Sequence, residues 1–176
     1  MDEASLIARV VLHDDHHAFN QLVRLHQSSV RLFLRRLTCG DEAFADDLAQ
    51  ETFLAAYQHI GSFRNRSSLR SWLCGIAVNL FRSEKRHKRW QVESVGVPAG
   101  GEGERPAGQD RGVLQKQVLA ALAGLGEDQR VALCLHTAAG LSHEETARIM
   151  EIPLGTVKTH VLRGKQRLRE ILGVEG

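Results

Sequence analysis

The sequence predicts an all-α fold built as two small helical domains joined by a flexible linker. Three observations carry this. Aromatic residues are only 5% of the 176 residues while apolar residues reach 43%, and the abundance of Leu, Ala, Arg, Glu and Gln favours helices over a β-sandwich or barrel. Apolar residues recur near a 3.6 period in both halves, with no strand alternation or hairpin signal of any weight. Between the halves, residues 92–112 hold six of the sixteen glycines and two of the three prolines, a composition that buries too little apolar surface to fold alone. The expected division is 1–91, linker 92–112, and 113–176.

Taken in order, residues 3–13 predict a short helix and 15–37 a longer one, with Phe19, Leu22, Val23, Val30, Phe33, Leu34 and Leu37 on its inner face. Cys39-Gly40-Asp41 supplies a stop and a new N-cap. A third helix runs from Glu42 to His59, and Gly61 ends it. Ser67 or Ser68 caps a fourth from Leu69 to about Trp90, with Leu69, Trp72, Leu73, Ile76, Ala77 and Leu80 as its apolar stripe. The second half predicts helices over about 112–123, 127–138, 142–151 and 155–172, the third opened by the capping box Ser142–Glu145.

The stretch EIPLGTVKTH, residues 151–160, predicts the bend of a helix-turn-helix. Pro153 stops one helix, because it lacks a backbone donor and pushes the preceding residue out of helix. Gly155 and Thr156 start the next. There Val157, Val161, Gly164, Leu168 and Ile171 form one inward stripe, and Thr159, Arg163 and Gln166 lie opposite, with Lys158 and Arg169 at the flank. A protruding helix with such a face suits the major groove; the alternative is an ordinary αα-corner.

The net charge of +2 hides a segregated distribution. Asp41, Glu42, Asp46, Asp47 and Glu51 form an acidic block without a base. Arg64 to Arg89 contains eight bases and one acid, and Lys158 to Arg169 five bases and none. Two basic blocks suggest two contacts with a polyanion, and the acidic block a different partner. The opposite charges of 41–51 and 158–169 would also let the halves close on each other. Three scattered cysteines, Cys39, Cys74 and Cys134, without a CxxC, point to a reduced cytoplasmic protein with idle thiols. No ligand spacing predicts a metal, and no cofactor is expected. The acidic N-terminus reads as neither a signal peptide nor a membrane span. No nucleophile–base pair or phosphate-cradling glycine loop marks an enzyme.

FADDLAQETFLAAYQHIGSF resembles region 2.2 of bacterial RNA polymerase sigma factors of the sigma-70 family, extracytoplasmic-function (ECF) group. LRSWLCGIAVNLFRSEKRHKR resembles their regions 2.3 and 2.4, and LSHEETARIMEIPLGTVKTHVLRGKQRLREIL their region 4. The resemblance implies a non-enzymatic initiation factor. Its expected partners are core RNA polymerase (clamp helices of the largest subunit and flap of the second-largest), promoter DNA both double-stranded and melted, and an anti-sigma factor, which would hold it at the inner membrane face where that partner is membrane-anchored.

Residue by residue, the resemblance assigns polymerase docking to Asp46, Asp47, Gln50, Glu51 and Phe53. It assigns the −10 element to Phe63, Arg70, Asn79, Arg82, Lys85, Arg86 and Arg89, and the −35 element to Thr156, Lys158, Thr159, His160 and Arg163. Trp72 sits on the apolar stripe and is expected mainly in the core, and Phe63 either lines a base pocket or pins its loop. The chain departs from the family pattern at His160 (commonly Arg), Gly164 (commonly Ala) and Ser83 (often Asp). A neutral histidine cannot make a bidentate guanine contact. The rival readings are a DNA-binding regulator that works without polymerase, an adaptor that binds only protein, and an enzyme.

Overall fold

The computed structural model describes residues 2–64, 66–95 and 111–173, with the side chains of 90–95 and 111 left aside. Among the described residues there are eight α-helices, one 3-10 turn (Ile60–Ser62) and no strand. The helices are α1 Glu3–His13, α2 His16–Leu37, α3 Glu42–His59, α4 Leu69–Val95, α5 Arg111–Ala123, α6 Glu127–Thr137, α7 His143–Met150 and α8 Leu154–Leu172. Most of the expected linker, 96–110, lies outside the described residues. At its edges α4 continues to Val95 and α5 begins at Arg111.

Side-chain caps set most helix starts. Asp2, Asp15 and Asp41 accept from the backbone N–H three residues on, at 3.0–3.1 Å. Ser68, rather than Ser67, accepts from Ser71 N–H. Ser142 and Glu145 complete the capping box at 3.1 and 2.9 Å. Each such cap satisfies an otherwise orphaned donor and contributes about 1 kcal/mol.

In the first half α2 packs on α1, α3 and α4, and Phe33, Leu34 and Leu37 of α2 are wholly buried. In the second half α8 packs on α5, α6 and α7. Gly164 of α8 is buried against α6; a Cβ there would stand 3.3 Å from Leu133 Cδ2, so glycine lets the two helix backbones approach. The expected stripe of α8 is buried at Val157, Val161 and Gly164, and opens at Ile171, which is 43% exposed.

The two halves touch. α2 meets α5 and α6, and α4 meets α7, through groups other than the 41–51 and 158–169 charge blocks. Gly40 has φ +89°, and a Cβ on it would come within 2.8 Å of Leu119 Cδ1 in α5. The left-handed backbone favours glycine there, while the contact is with the end of a flexible side chain that can turn aside. The Arg130 guanidinium of α6 reaches the Cys39 sulfur. Burial pushes the Cys39 thiol up, with Arg130 opposing, and pushes Cys74 and Cys134 up to about 12. All three thiols are free and poorly ionised, which suits packing rather than chemistry.

The turn of the helix-turn-helix differs from its sequence reading. Glu151, not Pro153, ends α7: it adopts φ 56° and donates its N–H to Ala147 O. Pro153 is the extended N-cap of α8 (ψ 145°), a position where its missing N–H does no harm. Gly155 lies in the first turn of α8, with nothing within 4 Å of where a Cβ would stand.

Candidate nucleic-acid interface

Two helices carry the candidate DNA contacts, and they are placed differently. On α8, Thr156, Lys158, Thr159 and Arg163 are exposed, whereas His160 is half-buried toward the inner stripe. Lys158 and Arg163 have no ion pair among the described residues, so both cations face solvent. The Thr159 hydroxyl donates back to Gly155 O at 2.9 Å, which leaves its oxygen to accept and its methyl to make apolar contact. Leu162, 57% exposed on the same outer surface, escaped the sequence reading because it breaks the polar pattern. An apolar residue off the inward stripe was the available signal.

On α4, Arg70, Asn79, Lys85, Arg86 and Arg89 are exposed and Arg82 is half-buried. Gly75, Asn79, Arg82 and Arg86 recur at intervals of four, three and four residues, which aligns them on one helix face. Two of these cations are engaged by the other half of the chain. Arg82 Nη2 donates to Asp128 Oδ1 at 3.2 Å, and Lys85 Nζ lies 3.9 Å from Glu127 Oε2. Lys88 Nζ, just beyond, stands 3.9 Å from the centre of the Phe44 ring, a cation–π contact. Phe63 is half-buried and packs on Trp72, with ring centroids 5.4 Å apart. Both rings adjoin the first-half core, as expected for Trp72.

The acidic helix α3 divides by face. Asp47, Gln50 and Glu51 are exposed, and Leu54, 54% exposed, joins them one turn on. Asp46 instead turns toward Arg31 of α2, 4.0 Å away, with its Oδ1 shielded and without a hydrogen-bond partner. Phe53 is half-buried and lines a small apolar hollow with Phe19, Leu22 and Trp72.

No helix is long and apolar enough to cross a membrane, and no group of three or more His, Cys, Asp or Glu gathers to hold a metal, in both cases among the described residues.

Residues 22–91 match the sigma-70 region 2 family, and residues 115–168 match sigma-70 region 4. The ECF RNA polymerase sigma factor EcfG of Rhodopseudomonas palustris is 39% identical over 148 residues, which span 84% of this chain and 81% of that one. The ECF RNA polymerase sigma-E factor of Escherichia coli K12 is 32% identical over 167 residues, spanning 88% and 86%. Among solved structures, the sigma factor RpoE of Bartonella quintana, in complex with the anti-sigma factor NepR, superposes with a TM-score of 0.79 at 34% identity, covering 90% of this chain and 98% of that one. CnrH, solved with the cytosolic domain of CnrY, shares the fold at a TM-score of 0.74 and 23% identity, over 99% of both chains. With both regions matched in order along nearly the whole length, the chain belongs to the ECF sigma factors of the sigma-70 family.

Proposed function

We propose that this ECF sigma factor binds core RNA polymerase and directs promoter-specific initiation by dividing the work among three surfaces. The first half, 1–91, docks on polymerase and reads and opens the −10 element. The second half, 113–176, reads the −35 element, and 92–112 tethers them. Chemistry on nucleotides stays with the core enzyme, so the chain itself acts as a non-catalytic subunit, and its place is the cytoplasm.

The observation that carries this reading is the exposed face of α8. Thr156, Lys158, Thr159 and Arg163 present two cations and two short hydrogen-bonding side chains at the start of a protruding helix, the geometry that enters a major groove. Leu162 adds an apolar contact of the kind a thymine methyl takes. His160, half-buried, contributes at the rim. On α4, Arg70, Asn79, Arg82, Lys85, Arg86 and Arg89 supply backbone cations and one base-edge amide, and Phe63 a stacking surface at the loop; unpaired strands are held by that combination.

Docking on the polymerase clamp falls to Asp47, Gln50 and Glu51 with Leu54 among them. An acidic surface with an apolar centre suits a protein partner and would repel DNA. Asp46 and Phe53 support it from behind, one against Arg31 and the other in the hollow. The RpoE match, solved with NepR, supports control of this chain too by an anti-sigma factor.

Run-off transcription with purified core polymerase, with and without the chain, on a pool of genomic promoters tests the reading. Chain-dependent transcripts with two shared upstream elements are expected. Absence of both transcripts and core binding would replace it with a regulator that works without polymerase.

A further inference from the structure

We propose that the stacked rings of His136 and His143, with Lys158 and Lys165 beside them, bind a backbone phosphate of the −35 duplex and take up a proton when it arrives. The proposal rests on the reading of α8 as the groove-facing helix. His136 lies in the last turn of α6, and His143 opens α7 just after its N-cap Ser142. The turn between these helices brings the two rings face to face, with centroids 4.3 Å apart and planes 16° from parallel. His136 Nδ1 donates to Leu141 O at 2.9 Å, which leaves Nε2 as the nitrogen that can gain a proton. The His143 ring has no hydrogen bond among the described residues, so its nitrogens are available to a ligand. Lys158 and Lys165 fall on one face of α8, near enough to act on the charge of His143. Neither lysine has an ion pair among the described residues.

Groups that are cations, or can become cations, therefore converge from α6, α7 and α8. α4, which also packs on α7, brings Arg70 to the neighbouring turn: its Nη1 lies 3.9 Å from where a Cβ on Gly140 would stand. The nearby acids balance them poorly. Glu145 accepts from the Ser142 N–H in the capping box, and Glu144 is exposed. Partial burial, then the charges of His136, Lys158 and Lys165, hold the His143 imidazole below its ordinary range, with Glu144 opposing. Stacking at this distance also disfavours a charge on both rings at once. An anion set against the rings reverses the repulsion. A duplex supplies one: Lys158 belongs to the groove-facing set, and in a helix-turn-helix the helix before the recognition helix crosses the DNA backbone. His143 stands at the N-terminus of that helix, where backbone N–H groups also face an anion. The complex then holds the proton more tightly than the free chain does, so duplex affinity rises as pH falls. The gain is absent where His143 is neutral in both states and complete where it is charged in both, below its depressed free value.

Titrations of the full chain with a −35 duplex from a chain-dependent promoter, at fixed ionic strength, read this link. Wild-type affinity is expected to rise about tenfold between about pH 8 and about pH 5.5. At the lower pH the plot of log affinity against log salt is expected to steepen by about 0.9, as one more phosphate is neutralised. His143→Gln is expected to flatten the pH response to about twofold or less. His143→Lys carries a fixed charge and is expected to bind at high pH as tightly as the wild type does at low pH. His136→Gln, which removes the stacked charge, is expected to move the midpoint of the response to higher pH, and His160→Gln to retain the response. Equal wild-type affinity at both ends of the range would overturn the proposal. So would a response that survives His143→Gln, one that disappears with His160→Gln, or a midpoint that His136→Gln leaves in place. Failure of the groove-facing reading shows separately, as an affinity that Lys158→Ala with Arg163→Ala leaves unchanged.

Discussion

The two basic helices of this chain have similar chemistry and opposite circumstances. α8 offers Lys158 and Arg163 to solvent with no ion pair among the described residues, while α4 has Arg82 and Lys85 held by Asp128 and Glu127 of the other half. Charge content alone does not make a DNA surface; what already sits on the charge decides whether it is available. In this chain Lys158 and Arg163 stand clear of the other half, whereas Arg82 and Lys85 pair across the contact between halves while Asn79 and Arg86 beside them stay exposed.

The largest expected effect removes the open side of this comparison. Lys158→Ala with Arg163→Ala should weaken binding of the chain to −35 duplex by about 100-fold at low salt, since a groove-reading arginine carries about 1–3 kcal/mol and a phosphate contact adds to it. The plot of log affinity against log salt should become shallower by about 1–2 units. Titrations at several salt concentrations check this, and an unchanged slope would show that α8 does not track the duplex.

Next in size is Asp47→Lys with Glu51→Lys. Both side chains are exposed on α3, so thermal stability should move little, while affinity for core polymerase should fall by about tenfold or more through like-charge contact. Leu54→Ala should lower the same affinity by a smaller factor with no change in salt dependence. Competition binding to core polymerase measures both. Equal affinity for the acidic variant would place docking elsewhere.

Arg82→Ala sharpens the comparison from the covered side. In the polymerase-bound state it should reduce open-complex formation several-fold, by loss of one backbone contact of about 1 kcal/mol. In the free chain it should loosen the pair with Asp128. The α8 variants lack this second effect. A variant at Arg82 that alters the free chain but initiates normally would confine the residue to the contact between the halves.

The helix inventory was legible because caps and stripes are local. Asp41, Ser142 and the 3.6-residue repeats of α2 and α8 act over one or two turns, and the sequence contains both members of each interaction. Gly164 was readable as a packing site because it falls on the inward stripe. The contact between halves was not readable. Asp128 meets Arg82 across 46 residues of sequence, and no periodicity links α6 to α4. The sequence offered only block charges, which suggested 41–51 against 158–169, whereas the pairs that form involve acids at 127 and 128. Within α3, the resemblance grouped Asp46 and Phe53 with Asp47, Gln50 and Glu51; only the rotation of α3 against α2 and α4 separates the members that face solvent.

The smallest expected effects lie in the turn between α7 and α8, where glycine and its geometric need are out of step. Glu151 holds φ 56°, a left-handed conformation that costs a residue with a Cβ about 1–2 kcal/mol. Gly155 sits in a helical turn with open space at its Cβ, where glycine costs about 0.5–1 kcal/mol relative to alanine. Glu151→Gly should therefore stabilise the free chain by about 0.5–1 kcal/mol, and Gly155→Ala by a similar amount, each raising the melting temperature by about 2–4 °C. Their DNA binding should then part ways. Glu151 lies outside the groove-facing set, so its replacement should alter duplex affinity little beyond the modest gain of removing one negative charge. Gly155 precedes Thr156 at the tip of α8, where a bare backbone allows close approach to a phosphate. Gly155→Ala should thus stabilise the fold while lowering −35 duplex affinity, and melting curves measured beside binding titrations distinguish a glycine kept for the backbone from one kept for the groove.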